Sequence, residues 1–315
     1  GCPVTLTQVE ADSTSSDGLR IQSTWNSVTV TNTAGLSDTG NGAQLSVLAG
    51  VTATLTRLSA MSASGTRVVA DGLTAASSLT ATDSAVDAGG RGIYIANVAG
   101  SSPVTLTSVT AVSATERALY AFTIANSAVT VDGYTQLLGG TEGIKAESFT
   151  AGATLDVAHS TAHGATDGIY AVWFGVGTAL TVTDSDASGT ATSGLRCRAW
   201  QHGGTITVTD TTATSVTGSG LELDDFATTS GVVTATLTNV TASSTAGALH
   251  GVAIKTIAGA STVKLHAVDA VSAAGNGVLV DTISGSAAVT VEGYSTATGA
   301  DYGLYATAFS GTAAL

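Results

Sequence analysis

Short segments in which apolar and hydroxyl residues alternate recur along the whole chain. They resemble VTLT at Val4 and VTVT at Val28, and each follows the previous one after 24 to 28 residues. Alternation with a period of two is typical of a half-buried strand, and Val and Thr suit the pleated surface of a sheet. The pattern predicts twelve strands, which begin at Val4, Val28, Thr52, Ser78, Val104, Val129, Thr154, Leu180, Ile206, Thr234, Thr262 and Val289.

A second pattern follows each of these segments about 14 residues later, a glycine and then alternating apolar residues. In GIYI at Gly92, the first and third positions after the glycine are Ile93 and Ile95, which should point to the same side, inward. The sixth position is also apolar and often aromatic. We interpret it as a third inward ladder just past a corner, formed by Leu48, Val98, Phe149, Phe174, Trp200, Phe226, Ile257, Ile283 and Phe309.

A constant repeat of this length is typical of a solenoid, because one coil cannot bury its own apolar side and stacked coils bury each other's. The sequence predicts an all-β fold, a right-handed parallel β-helix of about twelve coils of 24–28 residues, as a single domain over residues 1–315. Each coil should run strand, turn, strand, corner and short strand. The strand pattern extends to both ends without a cap, so we expect either part of a longer array or copies that stack end to end.

The composition favours an ordered rod without affinity for polyanions. Only 10% of the residues are charged and 43% are hydrophobic, whereas disorder goes with the opposite balance. The net charge of −13, without a basic cluster, argues against nucleic acid, and no apolar run is long enough to span a membrane. Cys2 and Cys197 lie about seven coils apart, too far for a disulfide. We expect Cys197 to be a buried, inert thiol, and acylation of Cys2 is a further hypothesis.

Function should depend on the outward side chains, and one column of them combines aromatic rings with cations. It is formed by the second residue after each glycine: Arg20, Gln44, Tyr94, Tyr120, Lys145, Tyr170, Arg196, Glu222 and Tyr305. The candidate ligand-binding stripe within it is Tyr94, Tyr120, Lys145, Tyr170 and Arg196. These side chains could stack sugar rings or hold a partner chain. Alternatively, they stack on one another and stabilise neighbouring coils, since an exposed cation beside a ring gains about 0.5–1 kcal/mol.

The next outward column contains charges of alternating sign: Glu147, Arg198, Asp224, Lys255 and Asp281. Arg196 and Arg198 should face Glu222 and Asp224 one coil on, as ion pairs. A polysaccharide lyase would need an acidic calcium cluster and a basic residue here, and Asp224, Asp225, Arg196 and Arg198 are the candidates. Because their signs suit mutual neutralisation better, we predict no catalytic residue, no metal site and no cofactor. Two histidines, His159 and His163, lie close in sequence, but no cysteine or acidic cluster accompanies them.

Pairs of threonines separated by one residue project outward from many of the Val/Thr strands. The pairs begin at Thr5, Thr29, Thr54, Thr80, Thr105, Thr181 and Thr207. Flat threonine arrays at coil spacing resemble the ice-binding face of solenoid antifreeze proteins. Charged residues interrupt the array at Asp132, Asp156, Lys264, His266 and Glu292, and threonine is an ordinary residue of exposed strands.

With these two strand patterns, VTxT and GIxI, the chain resembles the right-handed β-helices of secreted bacterial surface proteins, including adhesins and autotransporter passenger domains. By fold it also resembles the pectate-lyase-like polysaccharide enzymes. The first resemblance implies an extracellular or cell-surface structural rod without catalysis, which supports adhesion or builds a head-to-tail fibre with itself or with other surface proteins. The alternatives are a β-helix that binds or cleaves polysaccharides, with glycans as partners, and an ice-binding solenoid.

Overall fold

A computed structural model of the chain describes residues 3–22, 26–46, 48–200, 202–226, 231–247 and 249–315. Cys2, the residue of the acylation hypothesis, lies outside these residues. The described chain is all β, with strands β1 to β36 arranged in three parallel sheets of twelve strands each. We call them sheets A, B and C in the order in which each coil passes through them.

Sheet A contains the Val/Thr segments. Its strands are β1 (Val4–Thr7), β4 (Ser27–Thr31), β7 (Thr52–Thr56), β10 (Ser78–Thr82), β13 (Val104–Thr107), β16 (Ala128–Asp132), β19 (Thr154–Ala158), β22 (Thr178–Thr183), β25 (Gly204–Thr209), β28 (Val233–Thr238), β31 (Thr262–His266) and β34 (Ala288–Glu292).

Sheet B follows after one tight turn. Its strands are β2 (Glu10–Ser13), β5 (Ala34–Ser37), β8 (Ser59–Ser62), β11 (Ala85–Ala88), β14 (Thr110–Ser113), β17 (Gln136–Gly139), β20 (Thr161–Gly164), β23 (Asp186–Gly189), β26 (Thr212–Ser215), β29 (Thr241–Ser244), β32 (Asp269–Ser272) and β35 (Thr296–Gly299).

Sheet C contains the segments that most often begin with glycine. Its strands are β3 (Leu19–Gln22), β6 (Ala43–Ser46), β9 (Val68–Asp71), β12 (Ile93–Val98), β15 (Leu119–Ala125), β18 (Glu142–Thr150), β21 (Asp167–Phe174), β24 (Ser193–Arg198), β27 (Ser219–Phe226), β30 (Val252–Ile257), β33 (Val278–Ile283) and β36 (Leu304–Ala306).

Every strand pairs in parallel with the equivalent strand one coil away. Thr5 pairs with Thr29 in sheet A, and Ile93 pairs with Leu119 in sheet C. The twelve strands of each sheet make about eleven full turns, so the predicted parallel β-solenoid is confirmed. The right-handed sense of coiling stays a prediction.

The predicted layout of one coil was wrong in one respect, because it lacked sheet B and placed a short strand after the glycine-led one. Strands of sheet B have four residues each and contribute few large apolar side chains, typically an alanine such as Ala111 or Ala187. That is too little hydrophobic contrast to show an alternating pattern. The residues assigned to the extra strand, such as Phe149 and Phe174, belong to the ends of β18 and β21 in sheet C.

A dry core runs along the axis, lined by inward side chains of all three sheets. Ile93, Ile95 and Cys197 are buried as predicted. The sixth-position ladder is buried from Leu48 to Ile283, and its rings stack between coils, with centroids 4.7 Å apart for Phe149 and Phe174 and 4.5 Å apart for Phe174 and Trp200. Phe309 departs from the prediction, since it is 37% exposed in the last coil of the chain.

One coil is longer than the predicted 24–28 residues. Leu221 pairs with Val252, which is 31 residues further along the chain. The additional residues lie in the corner between Phe226 and Val233 and in the connection between Ser244 and Val252. Both are connections between strands, where insertions leave the sheet register intact.

The corners between sheets have a residue with left-handed backbone, and this sets which side chains stand at the surface. At the corner from A to B these include Asn32 (φ 50°), His159 (φ 45°) and Asp184 (φ 46°), and at the corner from C to A they include Trp173 (φ 58°) and Asp225 (φ 57°). Asn and Asp tolerate this conformation better than most residues, whereas for a bulky residue such as Trp it is unusual.

Candidate functional site

The predicted stripe is a continuous column on the outward face of sheet C. Tyr94 pairs with Tyr120, Tyr120 with Lys145, Lys145 with Tyr170, and Tyr170 with Arg196. Five successive strands, β12 to β24 in sheet C, therefore bring together the five residues that the sequence singled out. Their predicted role in binding a ligand stays a prediction.

Within the stripe, the aromatic rings and the cations contact one another. The ring centroids of Tyr94 and Tyr120 are 5.4 Å apart, and the Lys145 ammonium lies 5.4 Å from the Tyr120 ring and 5.9 Å from the Tyr170 ring. The Arg196 guanidinium lies 5.3 Å from the Tyr170 ring. Most of the ring faces are therefore used inside the protein, which favours the alternative that the stripe stabilises neighbouring coils.

Two arginines that the sequence did not single out complete the packing of the stripe. Arg91 and Arg117, from the connection before sheet C, place their guanidinium carbons 5.4 Å and 4.8 Å from the Tyr120 ring. Arg91 also pairs with Glu116 at 2.7 Å, and Arg117 with Glu142 at 3.2 Å. Both precede a glycine-type position, where the sequence pattern gave no reason to expect a contact with the stripe.

Glu147 holds the centre of the stripe together. The Tyr120 hydroxyl donates to its Oε2 at 2.8 Å, and Lys145 Nζ lies 2.6 Å from the same oxygen. Burial opposes ionisation of Glu147, but hydrogen bonds from Lys145 and Tyr120 outweigh it and hold the pKa of this carboxyl below its ordinary value. Burial, and then the Glu147 carboxylate, raise the pKa of Tyr120, so the phenol keeps its proton and acts as a donor.

The predicted ion pairs along the adjacent column are confirmed. Arg196 Nε lies 3.3 Å from Glu222 Oε1, and Arg198 Nε lies 3.6 Å from Asp224 Oδ2. Lys255 Nζ adds a second cation to Glu222 at 3.2 Å. The alternating charges therefore neutralise each other, as the sequence indicated. Partly exposed pairs of this kind contribute about 0–1 kcal/mol each.

Asp167 is a buried carboxyl group beneath this charged surface. It is 3% exposed, and its Oδ1 has no hydrogen-bond partner. Burial raises the pKa of Asp167 to about 7, with Arg196 acting in the opposite direction and Glu142 and Glu222 adding to the rise. Sequence reasoning missed this group, because the position before the glycine contains residues of every kind in other coils.

An open groove of about 250 Å³ lies where the stripe meets the corner between sheets C and A. It is lined by Tyr170, Val172, Trp173, Arg198, Ala199 and Asp225. The Trp173 side chain is 55% exposed, while the next residue, Phe174, points into the core. The sequence did not single out Trp173, because the left-handed corner residue breaks the alternation by which outward positions were counted.

A second open groove, of about 470 Å³, follows the corner between sheets A and B. Tyr134, His159, Asp184, Asp186 and Asp210 line it together with Gln136, Ser160, Thr161 and Ser185. Tyr134 is 82% exposed at its edge.

The expectation that no acidic residues accompany His159 was wrong. His159 Nδ1 lies 2.8 Å from Asp132 Oδ1, and Nε2 lies 3.6 Å from Asp184 Oδ2. The hydrogen bond to Asp132 raises the pKa of His159 above its ordinary value. These carboxylates come from the preceding and the following coil, so they are remote in sequence. In the part of the chain that the structure describes, no three His, Cys, Asp or Glu side chains are grouped so that they could hold a metal ion.

Threonines form two straight columns on the outward face of sheet A. One is unbroken over six coils and the other over five, with members Thr5, Thr29, Thr54, Thr80, Thr105 and Thr130, and Thr7, Thr31, Thr56, Thr82 and Thr107. Asp132 and Asp156 then interrupt the columns, and Lys264, His266 and Glu292 do so near the other end, as predicted.

Comparisons with protein-family models, with curated proteins and with solved structures give no match for this chain. The resemblance to adhesins and autotransporter passenger domains therefore stays a prediction. Among the described residues, no helix is long and apolar enough to cross a membrane.

Proposed function

We propose that this chain is a structural or adhesive rod, displayed outside the cell, that has no catalytic activity. The observation that carries the proposal is that the outward charged and aromatic residues of sheet C are matched to each other from coil to coil. Tyr120, Lys145 and Glu147 contact one another, as do Arg196, Glu222 and Lys255. Groups used in this way support the stacking of coils rather than chemistry on a substrate.

The grooves support the same proposal. Both follow corners and are shallow and open to solvent, whereas small-molecule active sites usually enclose most of the ligand surface. The dry, continuous core makes stability approximately a sum of contacts between neighbouring coils. Such an architecture resists bending and needs no cofactor. A head-to-tail fibre, or attachment to other surface proteins, is the finer form of the proposal.

Two measurements on the native source test the proposal. Antibody labelling and protease treatment of intact cells should detect the chain at the surface, and electron microscopy should show it as part of rods or fibres. The purified chain should cleave no polysaccharide in lyase and hydrolase assays, with and without calcium. A strictly internal location would contradict the proposal, and so would turnover of any polysaccharide.

The threonine columns of sheet A favour ice binding as a second candidate function. Their hydroxyl and methyl groups repeat at about 4.8 Å between coils and about 7 Å along each strand, as a flat two-dimensional lattice. Neighbouring members contact each other, since the hydroxyl groups of Thr56 and Thr82 lie 3.3 Å apart.

Inhibition of ice recrystallisation tests this second function. If sheet A binds ice, Thr80→Lys, in the middle of the unbroken column, should abolish the inhibition. Thr214→Lys on sheet B is the matched control and should leave it unchanged. Absence of inhibition by the unmodified chain would rule ice binding out.

A further inference from the structure

The groove beside Trp173 contains the exposed aromatic surface that the stripe itself lacks. At the equivalent corner of neighbouring coils stand Ser148, Ala199 and Asp225, all with left-handed backbone. Trp173 is the large residue in this series, and its indole is half in solvent. A bulky side chain in this conformation adds strain, and exposure brings no burial in return, so stability does not explain its presence.

The remaining walls of the groove are suited to a ligand with both an apolar face and hydroxyl groups. Tyr170, Val172 and Ala199 provide an apolar floor next to the indole. Arg198, whose side chain is 47% exposed, supplies donors, and the Asp225 carboxylate supplies acceptors. A pyranose ring has this dual character, because its C–H groups cluster on one face while its hydroxyl groups project around the rim.

The charges select among sugars. Arg198 is already paired with Asp224 at 3.6 Å, and Asp225 adds a further negative charge to the groove. A uronic acid would therefore meet carboxylates on both sides of one neutralised guanidinium, which is unfavourable. A neutral hexopyranose meets donors and acceptors without this repulsion.

We propose that Trp173, Tyr170, Arg198 and Asp225 form a binding subsite for a neutral hexopyranose unit of a glycan. The ring stacks on the indole, and its hydroxyl groups bond to Arg198 and Asp225. This inference goes beyond the proposed rod, because it assigns a ligand class to one place on the surface. It holds or fails independently of where the rod is displayed.

Indole N–H signals in NMR spectra of the ¹⁵N-labelled chain test the subsite directly. The chain has three tryptophans, and Trp173→Phe assigns the signal of Trp173. Cellohexaose and mannohexaose are the neutral probes, and hexagalacturonate is the charged one. At least one neutral probe should shift the Trp173 signal saturably, and the buried Trp200 should be unaffected.

Trp173→Ala should weaken that binding by about tenfold or more, since exposed aromatic anchors dominate such sites. The variant should fold, because Ala199 occupies the equivalent position one coil on with the same φ of 58°. Arg198→Gln with Asp225→Asn should weaken binding while leaving the indole in place. Tyr294→Ala, which removes an exposed ring elsewhere, is the control and should change nothing.

Three outcomes would overturn the proposal. The first is that no neutral probe shifts the Trp173 signal at about 10 mM, a concentration at which even millimolar affinity is visible. The second is that Trp173→Ala binds a neutral probe as well as the unmodified chain does. The third is that hexagalacturonate alone binds, which would show that charge rather than stacking governs the site.

Discussion

Asp167 shows at the residue scale how stacking coils can trap a charge. In water its carboxyl would ionise near the ordinary value of 3.8, but in the fold burial raises its pKa to about 7. A raised pKa means that the folded state binds the proton more tightly than the unfolded state. Stability is therefore greatest at low pH as far as this group is concerned, and it falls as the pH rises from about 4 through about 7.

We expect Asp167→Asn to stabilise the protein at pH 8 by up to ~4 kcal/mol, because the amide has no charge to desolvate. Loss of the attraction to Arg196 will reduce the gain. Urea denaturation at pH 5, 6, 7 and 8 should show the difference from the unmodified chain growing with pH. Asp186→Asn, at an exposed position of sheet B, should show no such trend. An Asp167→Asn variant that is no more stable at pH 8 would contradict the assignment.

His159 illustrates the opposite case, a solvent-exposed group whose shift comes from a partner. The bond to Asp132 raises the pKa of His159 and lowers that of Asp132. The pair therefore stabilises the fold fully below the ordinary histidine value of 6.5, and the contribution is lost as the pH rises through the raised value.

Titration of His159 by NMR checks this expectation. The midpoint should lie above 6.5 in the unmodified chain and should move down in Asp132→Asn. Asp184→Asn should have the smaller effect, because its carboxylate lies at 3.6 Å from the imidazole instead of 2.8 Å. An equal midpoint in all three proteins would show that the contacts do not form in solution.

At the scale of single strands, Trp173 and Phe174 in β21 separate surface from core within two consecutive residues. Phe174→Ala opens a cavity between Phe149 and Trp200 and should cost about 3–5 kcal/mol of unfolding free energy. Trp173→Ala should change it by no more than about 0.5 kcal/mol, as for other surface sites. Urea denaturation of both variants gives the comparison. Similar losses in the two variants would mean that the strand is rotated relative to this structure.

Sequence patterns predicted those elements whose inward residues are large. Sheets A and C follow from alternating Val, Leu and Ile, and the stripe from Tyr94 to Arg196 follows from counting positions after each glycine. Sheet B was missed because alanine gives little contrast. The contacts of His159 with Asp132 and Asp184 were missed for a different reason. They depend on the register between coils of unequal length, and the sequence patterns aligned only the strands.

For the whole molecule, twelve coils at ~4.8 Å give a rod of roughly 55 Å, in which each coil contacts only its neighbours. Such a structure should tolerate loss of one complete coil. Leu155 pairs with Leu180, so deletion of residues 155–179 joins Thr154 to the equivalent point of the next coil. Phe149 would then stack on Trp200, and β18 would pair with β24.

We expect the deleted chain to fold with unchanged β content, to be shorter by ~4.8 Å in small-angle scattering, and to lose only the contribution of one coil to stability. Deletion of residues 155–166 is the matched control, because it removes most of one passage through sheets A and B but keeps β21 in sheet C. That chain cannot align all three sheets at once and should unfold or aggregate. If both deletions behaved alike, the coil would not be the unit of stability, and the energetic argument from neighbour contacts would fail.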